Sequence, residues 1–298
     1  MEVLKTGNIG ACRNVLYKGT RNNNEIVVKT GNVRNEVFIL QHLSARKAHK
    51  HIVEFYGMVE NGNGFIMPAA VTDLYALIEK EKKLSVKPAT TCIVHILRGL
   101  LHMHNNNIVH RDIKLDNVLL FEDGCFKLCD MEFAHKVENA NGYLTSFTGT
   151  TMYIAPEIHR EKRYNAFQSD IWAVGICFFI ILNGFPPFEV ASPTDGCFMH
   201  VYEDNNDNNN KNSVSPTNAI TNYYSRPSVN VTLEPILSTM INYTPSHRSC
   251  VYDILSTIYG MHRRHTTKCA VDEKKTDVSS VRRDELCKIK TDEMGVEN

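Results

Sequence analysis

At 298 residues, with 33 lysines and arginines balanced by 33 aspartates and glutamates, the chain carries no net charge to draw it onto nucleic acid or an anionic membrane. Hydrophobic residues make up 43% and charged residues 22%, a globular composition far from the regime of intrinsic disorder. Any chemistry on phosphates must therefore be local.

The first residues, Met1 to Lys5, hold no apolar core of the kind a signal peptide needs, and Glu2 stands where myristoylation requires glycine. Glu25 to Lys29 and Gly64 to Met67 read as short strands bounded by Asn and Gly, with a helix between them carrying Val37, Leu40 and Leu43 on one face. From Asp73 the pattern becomes helical. Leu74, Leu77 and Ile78 open one helix, and Pro88 to Met103 continues with Ile93, Ile96, Leu97, Leu100 and Leu101 on a shared face. Ile171 to Leu182 is the longest apolar run, too short for the roughly 20 residues of a spanning helix, and it reads as a buried core helix. Glu203 to about Asn230 is rich in asparagine and reads as a disordered insertion, while 263–298 reads as a polar, disordered tail. Nine cysteines are scattered without paired metal-ligand spacing, so a zinc site is not expected, and the odd count together with the lack of an export signal favours reduced thiols in a cytoplasmic or nuclear protein.

Three segments carry chemistry. In His110-Arg111-Asp112-Ile113-Lys114-Leu115-Asp116-Asn117, Asp112 can accept or orient a hydroxyl proton, Lys114 can neutralise a transferring phosphoryl group, and Asn117 can ligate Mg2+. An isolated Arg-Asp pair is ordinarily a surface ion pair worth about 0–1 kcal/mol. The context overrides that reading, because a strand ending in Lys127-Leu128-Cys129-Asp130 follows and supplies a carboxylate, a hard ligand suited to Mg2+. Earlier in the chain, Val27-Val28-Lys29 ends a strand with a cation, and Glu36 lies seven residues on, within a reach of about 24 Å.

Together these residues resemble the eukaryotic-type protein kinases of the serine/threonine class. The resemblance implies an α+β, two-lobed fold: a small β-rich lobe with one helix over residues 1–67, and a larger, mainly helical lobe over 68–262 that contains the insertion at about 203–230. It implies transfer of the γ-phosphoryl group of ATP, with Mg2+, to a protein substrate with a Ser or Thr acceptor, and neither nucleic-acid binding nor membrane insertion. Asp112 would be the base or orienter, with Lys114 and Asn117 beside it. Asp130 and Asn117 would hold metal, and Lys29 and Glu36 would position the nucleotide. Gly10 and Val15 would cover the ATP, Met67, Pro68 and Ala70 would line the adenine pocket, and Asp73 would reach the ribose. Gly149 to Glu157 resembles the substrate-docking segment, Glu157 is expected to pair with Arg248, and Asp170-Ile171-Trp172 with Gly175 marks the helix that supports the catalytic loop. Lys114, with Thr150 after Gly149, is the serine/threonine pattern. Ser146 stands where an activating phosphate is usual, added by an activating kinase or by self-phosphorylation, with Arg111 able to bind it. Gly184-Phe185-Pro186-Pro187-Phe188 is similar to calcium/calmodulin-dependent and checkpoint kinases, a motif too widely shared to assign a subfamily.

Two departures stand out. Asn8 and Arg13 occupy two of three expected glycine positions in the phosphate-covering loop, leaving Gly10, with Gly7 available by a shift of register. Asp130-Met131-Glu132 replaces Asp-Phe-Gly, which removes conformational freedom and adds a carboxylate near the metal position. They motivate the alternative of a pseudokinase, a nucleotide-binding or scaffolding module without turnover. The short Lys29–Glu36 spacing further implies a helix lacking its first turns.

Overall fold

The computed structural model describes residues 2–9, 12–21, 24–45, 48–60, 62–138, 142–203, 215–227 and 231–261. Two compact units divide the chain, Met1–Leu255 and Ser256–Asn298; of the second, only 256–261 are described, and they are helical.

The first unit begins with an antiparallel sheet. β1 (Glu2–Ile9), β2 (Cys12–Arg21), β3 (Asn24–Thr30), β4 (Gly57–Met58) and β5 (Gly64–Pro68) assemble in the order β1-β2-β3-β5-β4. The β-branched run Ile26-Val27-Val28 suits the central strand β3 and is buried there. Lys29 lies near the end of β3, opposite Leu16 on one side and Phe65 on the other. Between β3 and β4 runs α1 (Arg34–Ser44), which buries Val37, Ile39, Leu40 and Leu43. It begins only two residues before Glu36, so that residue falls in the first turn, as the short spacing from Lys29 predicts.

The chain then turns helical. After β6 (Thr72–Asp73), Asp73 caps α2 (Leu74–Glu81) by accepting the Ala76 N–H at 2.7 Å. α3 (Val86–Asn105) buries Ile93, Ile96, Leu97 and Leu100 completely, each worth about 1.5–3 kcal/mol of transfer free energy. β7 (Ile108–Val109), β8 (Val118–Leu120) and β9 (Phe126–Leu128) frame the segment from His110 to Asp130, and β6-β8-β9 form a small antiparallel sheet. β10 (His135–Lys136) pairs with β7, and β11 (Tyr143–Leu144) pairs with β12 (Tyr164–Asn165) across α4 (Pro156–Arg160).

α5 (Ala166–Asn183) is the apolar helix expected from Ile171 to Leu182. It is long and apolar enough to cross a membrane by length and composition alone, but nearly every side chain from Ser169 to Ile181 is buried within the fold, the behaviour of a core helix. Beyond it lie α6 (Gly196–Phe198), α7 (Pro216–Tyr223) and α8 (Glu234–Met240). α7 falls inside the stretch read as a disordered insertion. Ser215 caps it through the Asn218 N–H, Pro216 fixes its first turn, and Thr217, Ala219, Ile220 and Thr221 are buried. The surrounding residues 204–214 and 228–230, the tail at 263–298 and Gly10 lie outside the described residues.

Candidate active site

The loop after β7 is built on Asp170, near the start of α5. Its carboxylate accepts the His110 and Arg111 backbone N–H groups, both at 2.9 Å, and lies 3.0 Å from His104 Nε2. These bonds hold Arg111 at a φ of 69°, a left-handed conformation that costs a non-glycine residue free energy. Gly149 packs against that turn so closely that a Cβ would come 2.9 Å from the Arg111 carbonyl oxygen, and its own φ is 116°. Backbone strain and close approach thus fix the direction of the next residue, Asp112.

Asp112 is 5% exposed and surrounded by donors. Lys114 Nζ donates to its Oδ2 at 2.7 Å and Thr150 donates to its Oδ1 at 2.8 Å, while Lys114 also reaches Thr150 Oγ1 at 3.0 Å. Asn117 Nδ2 donates to the Asp112 main-chain oxygen at 2.8 Å and to Oδ2 at 3.2 Å. With its amide nitrogen so committed, Asn117 is left with its carbonyl oxygen as a ligand. The hydroxyl, ammonium and carboxylate form one connected network, the arrangement a general base or orienter needs.

At the second cluster, Lys29 Nζ bridges two carboxylates, Glu36 Oε2 at 2.6 Å and Asp130 Oδ1 at 2.7 Å. Burial lowers the Lys29 pKa, but Glu36 and Asp130 outweigh it and hold the ammonium above its ordinary 10.5. Burial likewise raises the Asp130 carboxyl, yet the attraction and hydrogen bond of Lys29 leave it below its ordinary value. Glu36 is different: at 2% exposure, burial pushes it up, and Lys29 brings it only part of the way back. Its other oxygen accepts the Met131 N–H at 3.2 Å.

Met131 is wholly buried, as are Leu40 and His110. Asp130 takes a φ of 62°, whereas Glu132 takes no left-handed angle, so the missing glycine is not needed for this conformation. Asn35, next to Glu36 on α1, points Nδ2 at the Met131, Glu132 and Ala134 carbonyls at 3.3, 2.8 and 2.9 Å. Sequence reasoning missed this positioning residue. Its partners lie about a hundred positions away, and only its adjacency to Glu36 could have drawn notice.

The remaining expected residues divide by location. Met67 and Pro68 lie on β5 opposite Val27 and Ile26, Ala70 follows in the link to β6, and Val15 lies on β2 opposite Thr30. One Asp73 oxygen is committed to the α2 cap. Farther on, Glu157 and Arg248 form a bidentate ion pair at 2.7 and 2.8 Å with both side chains fully buried, beneath Trp172. Arg111 donates to the Ser146 carbonyl at 3.0 Å and to its hydroxyl at 2.7 Å, and Tyr164 donates to the same carbonyl.

A family profile described as the protein kinase domain matches residues 2–259. The chain is 30% identical over 206 residues to the serine/threonine-protein kinase pakG of Dictyostelium discoideum, covering 66% of this chain and 17% of that protein. It is 31% identical to the serine/threonine-protein kinase fused of Drosophila melanogaster, over 63% of this chain and 25% of that protein. Against the testis-specific serine/threonine-protein kinase 5 of Mus musculus the identity is 34%, over 51% and 43% respectively. The chain therefore spans well under two thirds of these relatives' lengths.

Proposed function

Because this chain belongs to the protein kinase family, we propose that it transfers the γ-phosphoryl group of ATP to a serine or threonine hydroxyl of a protein substrate. The observation that carries this reading is the network at Asp112. An incoming hydroxyl would share the carboxylate with Thr150 and Lys114, its proton accepted or oriented by Asp112 while the Lys114 ammonium neutralises charge on the transferring group. Lys29, held between Glu36 and Asp130, would present a fixed cation to the nucleotide phosphates.

The donor set fits Mg2+. Asp130 offers carboxylate oxygen and Asn117 an amide carbonyl oxygen, both hard ligands suited to that ion. When bound, Mg2+ would neutralise charge on the β- and γ-phosphates. Met67, Pro68 and Ala70 would line the adenine pocket beneath Gly10 and Val15.

Purified chain incubated with γ-labelled ATP, Mg2+ and a basic Ser/Thr peptide is expected to transfer label. Lys29→Met, with folding checked by circular dichroism, should lower kcat/KM for ATP by roughly 10²- to 10³-fold, the cost of removing one preorganised charge-stabilising group. Incorporation no greater than that of Lys29→Met would sink the enzyme reading. A nucleotide-induced rise in Tm without turnover would favour the pseudokinase, for which Asn8 and Arg13 in the glycine loop and Glu132 are the motivation.

Regulation through Ser146 belongs to the same proposal. Arg111 already reaches its hydroxyl, and Arg111 Nε is buried with no hydrogen-bond partner among the described residues, a donor that a phosphate would satisfy. Phosphate on Ser146, added in trans or by the chain itself, is expected to raise turnover. Ser146→Ala should abolish that rise and leave the unphosphorylated rate unchanged, as read by initial rates before and after phosphatase treatment.

A further inference from the structure

We propose that His51, His95 and Cys125 form a transition-metal site, suited to Zn2+, on a part of the fold that the phosphoryl-transfer reading does not use. One donor atom from each residue lies within 4.8 Å of the others. Three elements supply them: His51 comes from the segment before β4, His95 from α3, and Cys125 from the turn between β8 and β9. Two imidazoles with one thiolate are a borderline-to-soft donor set that selects Zn2+ over Mg2+ or Ca2+.

Geometry favours ligation with little movement. Tetrahedral Zn2+ with nitrogen at about 2.1 Å and sulfur at about 2.3 Å holds its donors roughly 3.4–3.6 Å apart. Cys125 Sγ already lies 3.3 Å from His51 Nδ1, so the site closes by a contraction on the order of 1 Å at the third donor. The His95 ring stacks on His51 with centroids 4.2 Å apart. α3 approaches so tightly that a Cβ on Gly99 would come 2.5 Å from the His51 carbonyl oxygen, which leaves the pocket preformed.

The tautomer of His51 separates two states. With a proton on Nδ1, the ring donates to the Phe126 carbonyl at 3.1 Å and is an ordinary buried histidine. With the proton on Nε2, the Nδ1 lone pair accepts the Cys125 S–H at 3.3 Å, and a metal ion would take the place of that shared proton between the two donor atoms. Binding releases the thiol proton to solvent, and His95 gives up the hydrogen bond that its Nδ1 accepts from Phe126 N–H at 3.2 Å. His95 is half-buried, which leaves room for water as a fourth ligand. His51 is already stitched to β9, where its carbonyl accepts the Leu128 N–H at 3.0 Å. The ion would therefore clip that segment, α3 and the β8–β9 hairpin together.

The test uses the full chain, reduced and stripped of metal, then dialysed against Zn2+ or against Co2+ as its spectroscopic stand-in, with nitrilotriacetate as competing chelator. One ion per chain, a thiolate-to-cobalt charge-transfer band and a rise in Tm with Zn2+ are expected. Cys125→Ser should abolish the band, and His95→Gln should weaken uptake by roughly 10²-fold, at the upper end of what even an outer-shell partner costs. Were Cys125→Ser not to fold, His95→Gln, on a half-buried ring, carries the same comparison. Uptake by the wild type that is absent, or no greater than that of the variants, overturns the site. The second of those results would assign the ion to other thiols such as the exposed Cys250.

Discussion

Replacing Asp112 with asparagine lowers kcat by roughly 10²- to 10⁴-fold, the range that a positioned acid or base contributes, and leaves KM for ATP nearly unchanged. The substitution keeps volume and keeps the main-chain oxygen that Asn117 holds at 2.8 Å, so the loop survives. What changes is the acceptor capacity of the side chain. In the native chain, Oδ1 and Oδ2 accept from Thr150 and Lys114 respectively. An amide offers one acceptor and one donor, so its NH2 must face either a hydroxyl or an ammonium, and it can take no proton at neutral pH. The cluster of Lys29, Glu36 and Asp130, to which the proposal assigns the nucleotide, is untouched, which is why affinity for ATP should hold while turnover falls. Initial-rate kinetics with labelled ATP, beside urea melts to show intact folding, make the measurement; a variant that turns over at the native rate removes Asp112 from the chemistry.

Arg248→Ala is the substitution expected to cost most in stability, about 3–5 kcal/mol, out of a total that for a domain is about 5–15 kcal/mol. Both side chains of the Glu157–Arg248 pair are fully buried. Arg248 also donates through Nε to the Asn242 carbonyl at 2.8 Å and through its guanidinium to the Gln168 carbonyl at 3.0 Å. Its removal leaves a carboxylate out of water with, among the described residues, the Ser169 hydroxyl at 3.1 Å as its remaining side-chain donor. Pairing the change with Glu157→Leu removes the orphaned charge and should recover a large part of the loss, since an apolar replacement of a buried pair is often close to neutral. Urea denaturation of the single and double variants makes the comparison. A loss below about 1 kcal/mol in Arg248→Ala would mean that the pair behaves like an exposed one.

How much of this was legible beforehand depends on how far apart the partners lie. His110 to Asn117 is readable because the chemistry needs particular residue types at fixed spacing inside one short loop. Lys29 and Glu36 could be matched for the same reason, being seven positions apart. The support beneath them was legible only in part. The Asp170-Ile171-Trp172 pattern marked the helix under the catalytic loop, though not that the Asp170 carboxylate accepts the His110 and Arg111 N–H groups, while the bonds of Asn35 to the carbonyls after Asp130 span 96 to 99 positions with no local pattern to announce them. Composition misled at Pro216–Tyr223, where surrounding asparagines mask a capped helix whose buried face is only Thr217, Ala219, Ile220 and Thr221. The same holds for His51 and Cys125, 74 positions apart, which meet no spacing rule for metal ligands. Lys114 and Thr150 could be recognised as a pair, but their shared grip on one carboxylate is visible only in three dimensions.

One turn of α1 has a consequence for how the molecule can change state. Glu36 holds the Lys29 ammonium with one oxygen and the Met131 N–H with the other, and its neighbour Asn35 holds the carbonyls of residues 131, 132 and 134. Displacing that turn would free the Lys29 ammonium from Glu36, leaving it on Asp130 alone, and would release the backbone after Asp130 with it. One turn of helix thus ties the seat of a cation to the path of the backbone about a hundred residues on, and a ligand or partner that pulls on α1 should move both together.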